Sequence, residues 1–165
     1  MAYLQWMHHK IFIVGFMCSG KTTAGRQLAK ELNLSFFDTD EMVEELTGMK
    51  IKEIFSKWGE KYFRRMERDV IYGLMHRQES FVCATGGGAV CQPDVMDWLN
   101  RVGKTAWLHI DWDLIQDRLS QDTTRPLTQL SLIELKSLFE DRKKYYSKAA
   151  ETYLSIEELI FNLKK

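Results

Sequence analysis

Short apolar runs alternate with helically spaced apolar positions along this chain from Lys10 onward. Ile11, Phe12, Ile13 and Val14 are contiguous and mostly β-branched or aromatic, the pattern of a strand covered on both faces, and Gly15 ends it. From Lys21 the spacing changes: Ala24, Leu28, Ala29 and Leu32 recur at three- and four-residue intervals, which predicts a helix closing near Asn33. Ser35 to Phe37 reads as a second strand ending at Asp38, and Glu41 to Leu46 as a helix broken by Gly48. Lys52 to Lys57 and Tyr62 to Met75 read as helices, Phe81 to Ala84 as a strand running into Gly86, and Val95 to Leu99 as a helix. Thr105 to Ile110 is a further strand, followed by helices over Leu114 to Leu119, Leu132 to Tyr146 and Ile156 to Leu163. Such alternation predicts an α/β protein whose parallel sheet is covered on both faces, with ligands at the carboxyl ends of the strands. Gln121 to Gln129, with Asp122, two threonines and Arg125-Pro126, predicts an exposed loop.

The 165 residues suit one domain with one core, and neither repeats nor a linker divide them, so 1–165 is read as a single domain. Lys plus Arg equals Asp plus Glu at 23 each, so no overall field recruits nucleic acid or anionic lipid. Any anion must be held locally. Cys18, Cys83 and Cys91 are odd in number and lack CxxC spacing, which argues against a disulfide framework or zinc site and for a reducing compartment. Residues 1–9 carry no long apolar core or cleavage pattern, and no run approaches a membrane span. A cytoplasmic monomer without membrane or nucleic-acid partners is the expectation.

A local anion site is present in residues 15 to 22, Gly-Phe-Met-Cys-Ser-Gly-Lys-Thr, which satisfy the Walker A pattern between a predicted strand and a predicted helix. Gly15 and Gly20 permit the backbone angles and close approach that let successive N–H groups converge on phosphate oxygens. The following helix start adds free N–H groups and its positive dipole end. Lys21 can span the β- and γ-phosphates of a nucleotide, and the Thr22 hydroxyl can ligate Mg²⁺.

Other features acquire meaning beside this cradle. Asp38-Thr39-Asp40 ends the second strand at the same sheet edge, where two carboxylates can divide metal ligation and hydroxyl orientation, or one can simply cap the next helix. Arg64 and Glu67 stand three apart on a helix and can pair. Gly86-Gly87-Gly88 after a strand marks backbone that approaches a ligand closely. Arg125-Pro126-Leu127 places a stiffened arginine where a lid could swing over phosphates.

In order and spacing, Gly15 to Thr23, Asp38-Thr39-Asp40, Phe63-Arg64, Gly86 to Gly88, Arg125-Pro126-Leu127 and Arg142 with Tyr146 resemble shikimate kinase, from about Ile11 to Ala150. The resemblance implies a three-layer α/β/α P-loop fold of the nucleoside monophosphate kinase type, with a five-stranded parallel sheet, a helical substrate-binding segment near 39–67 and a lid near 120–131. It implies transfer of the γ-phosphate of ATP, with Mg²⁺, to the 3-hydroxyl of shikimate, a step towards chorismate and the aromatic amino acids. By the same resemblance Lys21, Asp40 and Arg125 are catalytic, Asp40 as general base. Cys18, Ser19, Gly20, Lys21, Thr22, Thr23, Arg118 and Arg125 would bind ATP, Arg118 packing on adenine. Thr22 would ligate Mg²⁺, with Asp38 acting through water. Arg64 and Arg142 would grip the substrate carboxylate, Glu67 orienting Arg64, while Asp40, Phe55, Phe63, Gly86, Gly87 and Gly88 would contact the ring and its hydroxyls.

Three features depart from the family, one of them a lid between Arg125 and Arg142 that reads as slightly short. Cys18 stands where the family usually has glycine, and Ala150 to Ser155 reads as short and polar for the family's last strand. The alternatives are a related small-molecule kinase of the gluconate or nucleoside monophosphate type, or a nucleotide-binding module without catalysis. Retention of Lys21, Thr22, Asp38, Asp40 and Arg125 together argues against the latter.

Overall fold

The apolar run Lys10–Val14 forms β1, the middle strand of a five-stranded sheet, with Phe12, Ile13 and Val14 wholly excluded from solvent. The structure is a computed structural model and describes residues 10–121 and 130–165. The other strands are β2 (Ser35–Asp38), β3 (Phe81–Ala84), β4 (Lys104–Leu108) and β5 (Glu151–Tyr153), all pairing in parallel in the order β2-β3-β1-β4-β5. Between them run α1 (Lys21–Leu32), α2 (Thr39–Thr47), α3 (Ile51–Met75), a 3₁₀ turn (Ala89–Cys91), α4 (Val95–Val102), α5 (Trp112–Gln121), α6 (Leu132–Tyr146) and the closing α7 (Ile156–Leu163).

Right-handed crossovers dictate which face each helix covers. From β1 the chain crosses over β3 to reach β2, carrying α1 to one face; every later crossover runs the opposite way and carries its helices to the other. The observed packing of α4 against α3 follows from this, while α7, which follows β5 without a further crossover, packs against α1 on the first face. The direction of winding therefore reverses between β1 and β3, and a crevice opens at their carboxyl ends. Register keeps those ends level, since Ile13 and Asp38 both pair with Ala84. Phe12 and Phe37 each meet Phe81 edge to face, at 5.6 and 5.3 Å. Each fully buried side chain of this size stabilises the fold by about 1.5–3 kcal/mol, so the sheet edge rests on a stiff core.

Three details differ from the pattern-based expectation. α2 begins at Thr39, earlier than Glu41, because the Asp38 side chain caps it, Oδ1 accepting from the Asp40 N–H at 2.9 Å. The two helices expected over 52–75 are continuous except at Gly59, whose φ of 77° breaks the ladder between them. Glu151–Tyr153 is a strand despite its polarity: as an edge it needs a ladder on one side only, which β4 supplies, while Tyr153 is buried and its carbonyl accepts from the His109 N–H at 2.8 Å.

Candidate functional site

The loop between β1 and α1 folds back on itself. Lys21 is buried and its Nζ donates to the Phe16 carbonyl at 2.7 Å, drawing the loop round the lysine head, while Ser19 lies fully buried beneath it. Gly20, at φ 96°, precedes the first turn of α1. Cys18 adopts φ 59°, the left-handed region, and its carbonyl accepts from Arg118 Nη1 at 2.9 Å. A glycine would sit there without strain, whereas a Cβ is strained at such an angle. Cys18, Gly20, Lys21, Thr22, Thr23, Arg118 and Ile156 line an open cleft of about 480 Å³.

Asp38 takes the capping role, one of the two readings its sequence left open. While Oδ1 caps α2, Oδ2 accepts from the Thr22 hydroxyl at 2.7 Å, tying the end of β2 to the start of α1. A hydroxyl and a carboxylate oxygen thus share one point beside Lys21, the hard oxygen donors that Mg²⁺ takes. The Thr39 hydroxyl accepts from the Gly86 N–H at 2.8 Å, linking this corner to the triple-glycine turn.

That turn is shaped by its neighbours. A Cβ on Gly86 would stand 2.3 Å from Glu67 Oε1 and 2.6 Å from Asp40 Oδ1, and one on Gly88 would stand 2.4 Å from Arg64 Nη2. Glycine is required because two carboxylates and a guanidinium already occupy the space. Gly87 lies against the phosphate loop, its hypothetical Cβ 3.0 Å from the Met17 nitrogen, and its carbonyl accepts from the Tyr146 hydroxyl at 2.5 Å.

Glu67 is wholly buried, and its Oε2 accepts from Arg64 Nη1 at 2.7 Å and from Gln92 Nε2 at 2.9 Å. Arg64 also bonds the more exposed Glu60, at 3.1 Å, and its guanidinium overlies Phe63, whose ring lies 5.0 Å from that of Phe55. Burial pushes the Glu67 carboxyl up to about 7; Arg64 opposes the shift, nearby Asp40 adds to it, and Arg142 opposes it from α6. Arg142 is itself buried, 5.7 Å above the Phe16 ring, beside Tyr146, whose hydroxyl burial pushes well above its ordinary range.

The fold therefore brings Asp40, Arg64, Glu67, Gly86, Gly87, Gly88 and Arg142 into one corner facing the phosphate loop, with Phe55 and Phe63 adjoining it. Arg125 lies outside the described residues. Sequence reasoning missed Gln92, Glu60, and the contacts of Thr39 and Phe16. Thr39, inside Asp38-Thr39-Asp40, and Phe16, inside the Walker A stretch, carried a signal; Gln92 and Glu60 sit in ordinary polar stretches whose partners are distant in the fold or unremarkable by spacing.

The family described as Shikimate kinase matches residues 17–159. The chain belongs to the shikimate kinase family. A shikimate kinase of Sulfurihydrogenibium sp. is 43% identical over 136 residues, 82% of this chain and 81% of the relative. That of Aquifex aeolicus is 40% identical over 140 residues, 85% and 83% of the two chains. Among solved structures, shikimate kinase from Bacteroides thetaiotaomicron superposes with a TM-score of 0.86 at 31% identity, over 94% of this chain and 96% of the other. The Acinetobacter baumannii enzyme in complex with shikimate gives 0.87 at 34% identity, over 94% and 90%. The five-stranded parallel α/β fold expected of a shikimate kinase is the fold observed.

Proposed function

We propose that the residues gathered at the strand ends carry out the reaction of the shikimate kinase family, ATP-dependent phosphorylation of the 3-hydroxyl of shikimate to shikimate 3-phosphate. The whole chain acts as one kinase domain, with residues 39–67 as its substrate-binding segment and 120–131 as its lid. The observation that carries this reading is the convergence of Asp40, Glu67 and Arg64 on the Gly86–Gly88 turn, which itself abuts the phosphate loop at Met17. An acid's alcohol held there faces the place where a nucleotide's terminal phosphate would lie.

Roles follow from chemistry. The amides of Cys18 to Thr23 receive the triphosphate and Lys21 spans its far end, while Arg118 flanks the base on the side where Ile156 closes the cleft. Thr22 would hold Mg²⁺ with Asp38 supporting its water shell, and the ion would supply neutralisation of the phosphate charge. Asp40 orients the attacking hydroxyl and accepts its proton. Arg64 and Arg142 take the substrate carboxylate, for which a guanidinium fork is the matching shape, and Phe55 and Phe63 wall the ring. Arg125 and the lid, outside the described residues, would neutralise charge developing on the transferred phosphoryl.

Release of ADP with ATP and Mg²⁺ should be measured with shikimate, gluconate and nucleoside monophosphates in parallel. Shikimate alone should support turnover. Equal or greater turnover with gluconate or a nucleotide would overturn the assignment.

A further inference from the structure

Gln92 belongs to none of the motifs that define the site, yet its side chain ends on the carboxylate that holds Arg64. The two donors, Arg64 Nη1 at 2.7 Å and Gln92 Nε2 at 2.9 Å, converge on one oxygen of Glu67, and the other oxygen, Oε1, is buried without a hydrogen-bond partner among the described residues. A carboxylate so placed keeps its orientation only while Oε2 is held from more than one direction, since Arg64 also answers to the exposed Glu60 and can be drawn outward with it.

The backbone delivering the amide is firmly seated. Gln92 precedes Pro93, which confines it to extended angles, and it adopts φ −72° and ψ 145°. Its N–H donates to the Ala89 carbonyl at 3.2 Å, and the Pro93 carbonyl accepts from Arg68 Nη1 at 2.8 Å. Arg68 in turn lies 4.1 Å above the Trp98 ring. Helix α3 thus holds the segment through Arg68 while receiving its amide at the adjacent Glu67.

We propose that Gln92 is a positioning residue for acid binding: its amide N–H fixes Glu67 Oε2, and through that carboxylate sets the orientation of the Arg64 guanidinium. The inference rests on the reading of Arg64 as a ligand of the substrate carboxylate. A donor on Oε2 favours the ionised form of Glu67, which is also faced by Arg64 on its own helix, Asp40 on α2, Arg142 on α6 and Cys91 beside Gln92. Without the amide, Glu67 takes up a proton at higher pH and lets go of Arg64.

The test is Gln92→Met, which keeps the length and removes the donor, compared with the wild-type chain and Arg64→Ala between about pH 6 and 9, with thermal melting to check folding. The KM for shikimate should rise about five- to tenfold near neutral pH while kcat and the KM for ATP stay within about twofold. The pH below which the shikimate KM climbs should move upward. Gln92→Asn, which retains the amide but withdraws it by one methylene, should fall between the two and serves alone if the Met variant does not fold. An unchanged shikimate KM and pH profile beside a raised KM in Arg64→Ala would overturn the role of Gln92, as would an equal loss in kcat and both KM values. An unchanged KM in Arg64→Ala would instead remove the carboxylate reading, and this inference with it.

Discussion

The phosphate cradle comes from one uninterrupted stretch, Gly15 to Thr23, whereas the proposed acid pocket draws Asp40 from α2, Arg64 and Glu67 from α3, Gly86–Gly88 from the turn after β3 and Arg142 from α6. The cradle works mainly with backbone amides and a loop wrapped on one lysine. The pocket works with buried side-chain charges that hold one another. A backbone site is set by local geometry and tolerates a neutral surround; a side-chain site depends on every partner arriving from elsewhere and carries the electrostatic cost of burial.

This contrast can be broken most severely at Lys21, which both shapes the cradle and would meet the transferred charge. Lys21→Ala should lower kcat by about 10²–10³-fold or more in a coupled ADP-release assay, without restoring activity at high shikimate. In the pocket the expected damage is to binding instead. Arg64→Ala or Arg142→Ala should raise the KM for shikimate by roughly 30- to 1000-fold, from the loss of about 2–4 kcal/mol, and leave kcat less affected. A normal KM in both variants would dissolve the distinction between the two halves.

Glu67 supplies a subtler lever, because its carboxyl is raised to about 7 by burial, against Arg64. As pH falls through that value the acid loses its charge and its hold on Arg64, so the shikimate KM should rise severalfold below neutrality while the KM for ATP does not. Stability runs the other way. The folded chain keeps a proton on Glu67 that the unfolded chain releases near the ordinary value of 4.5, so this group's contribution is complete below about 4.5 and is lost as pH rises through about 7. Melting temperature against pH, compared with Glu67→Gln, isolates that contribution; identical profiles would mean Glu67 titrates normally. The smallest effect belongs to the cradle. Cys18→Gly relieves a left-handed cysteine, partly offset by the freer unfolded chain, and should stabilise by about 1 kcal/mol or less, read as a small rise in melting temperature.

Legibility from sequence divides along the same line. The Walker A stretch names its own chemistry because a phosphate cradle is made by neighbours along the chain, and the buried strands Lys10–Val14 and Phe81–Ala84 announce themselves by continuous apolar runs. Arg64 and Glu67 were visible as a pair three residues apart, but that spacing describes a solvated ion pair equally well. Burial alone distinguishes the two, and burial comes from α3 folding over the Gly86–Gly88 turn. Ala150 to Ser155 reads as short and polar for the last strand, yet Glu151–Tyr153 pairs with β4 because an edge position, one-sided in its pairing, relaxes the apolar requirement.

The sequence by itself determined the alternation of elements, the phosphate-binding loop and, through the ordered set of short motifs, the family. Only the tertiary structure decided that Asp38 both caps α2 and receives Thr22, that a glycine turn is demanded by two carboxylates and a guanidinium, and that Gln92 reaches Glu67. The reason is range. Backbone angles, caps and periodicity act over a few residues and are written where they act, whereas the charge state and aim of a buried side chain depend on groups that the chain brings near only after the sheet has closed around them.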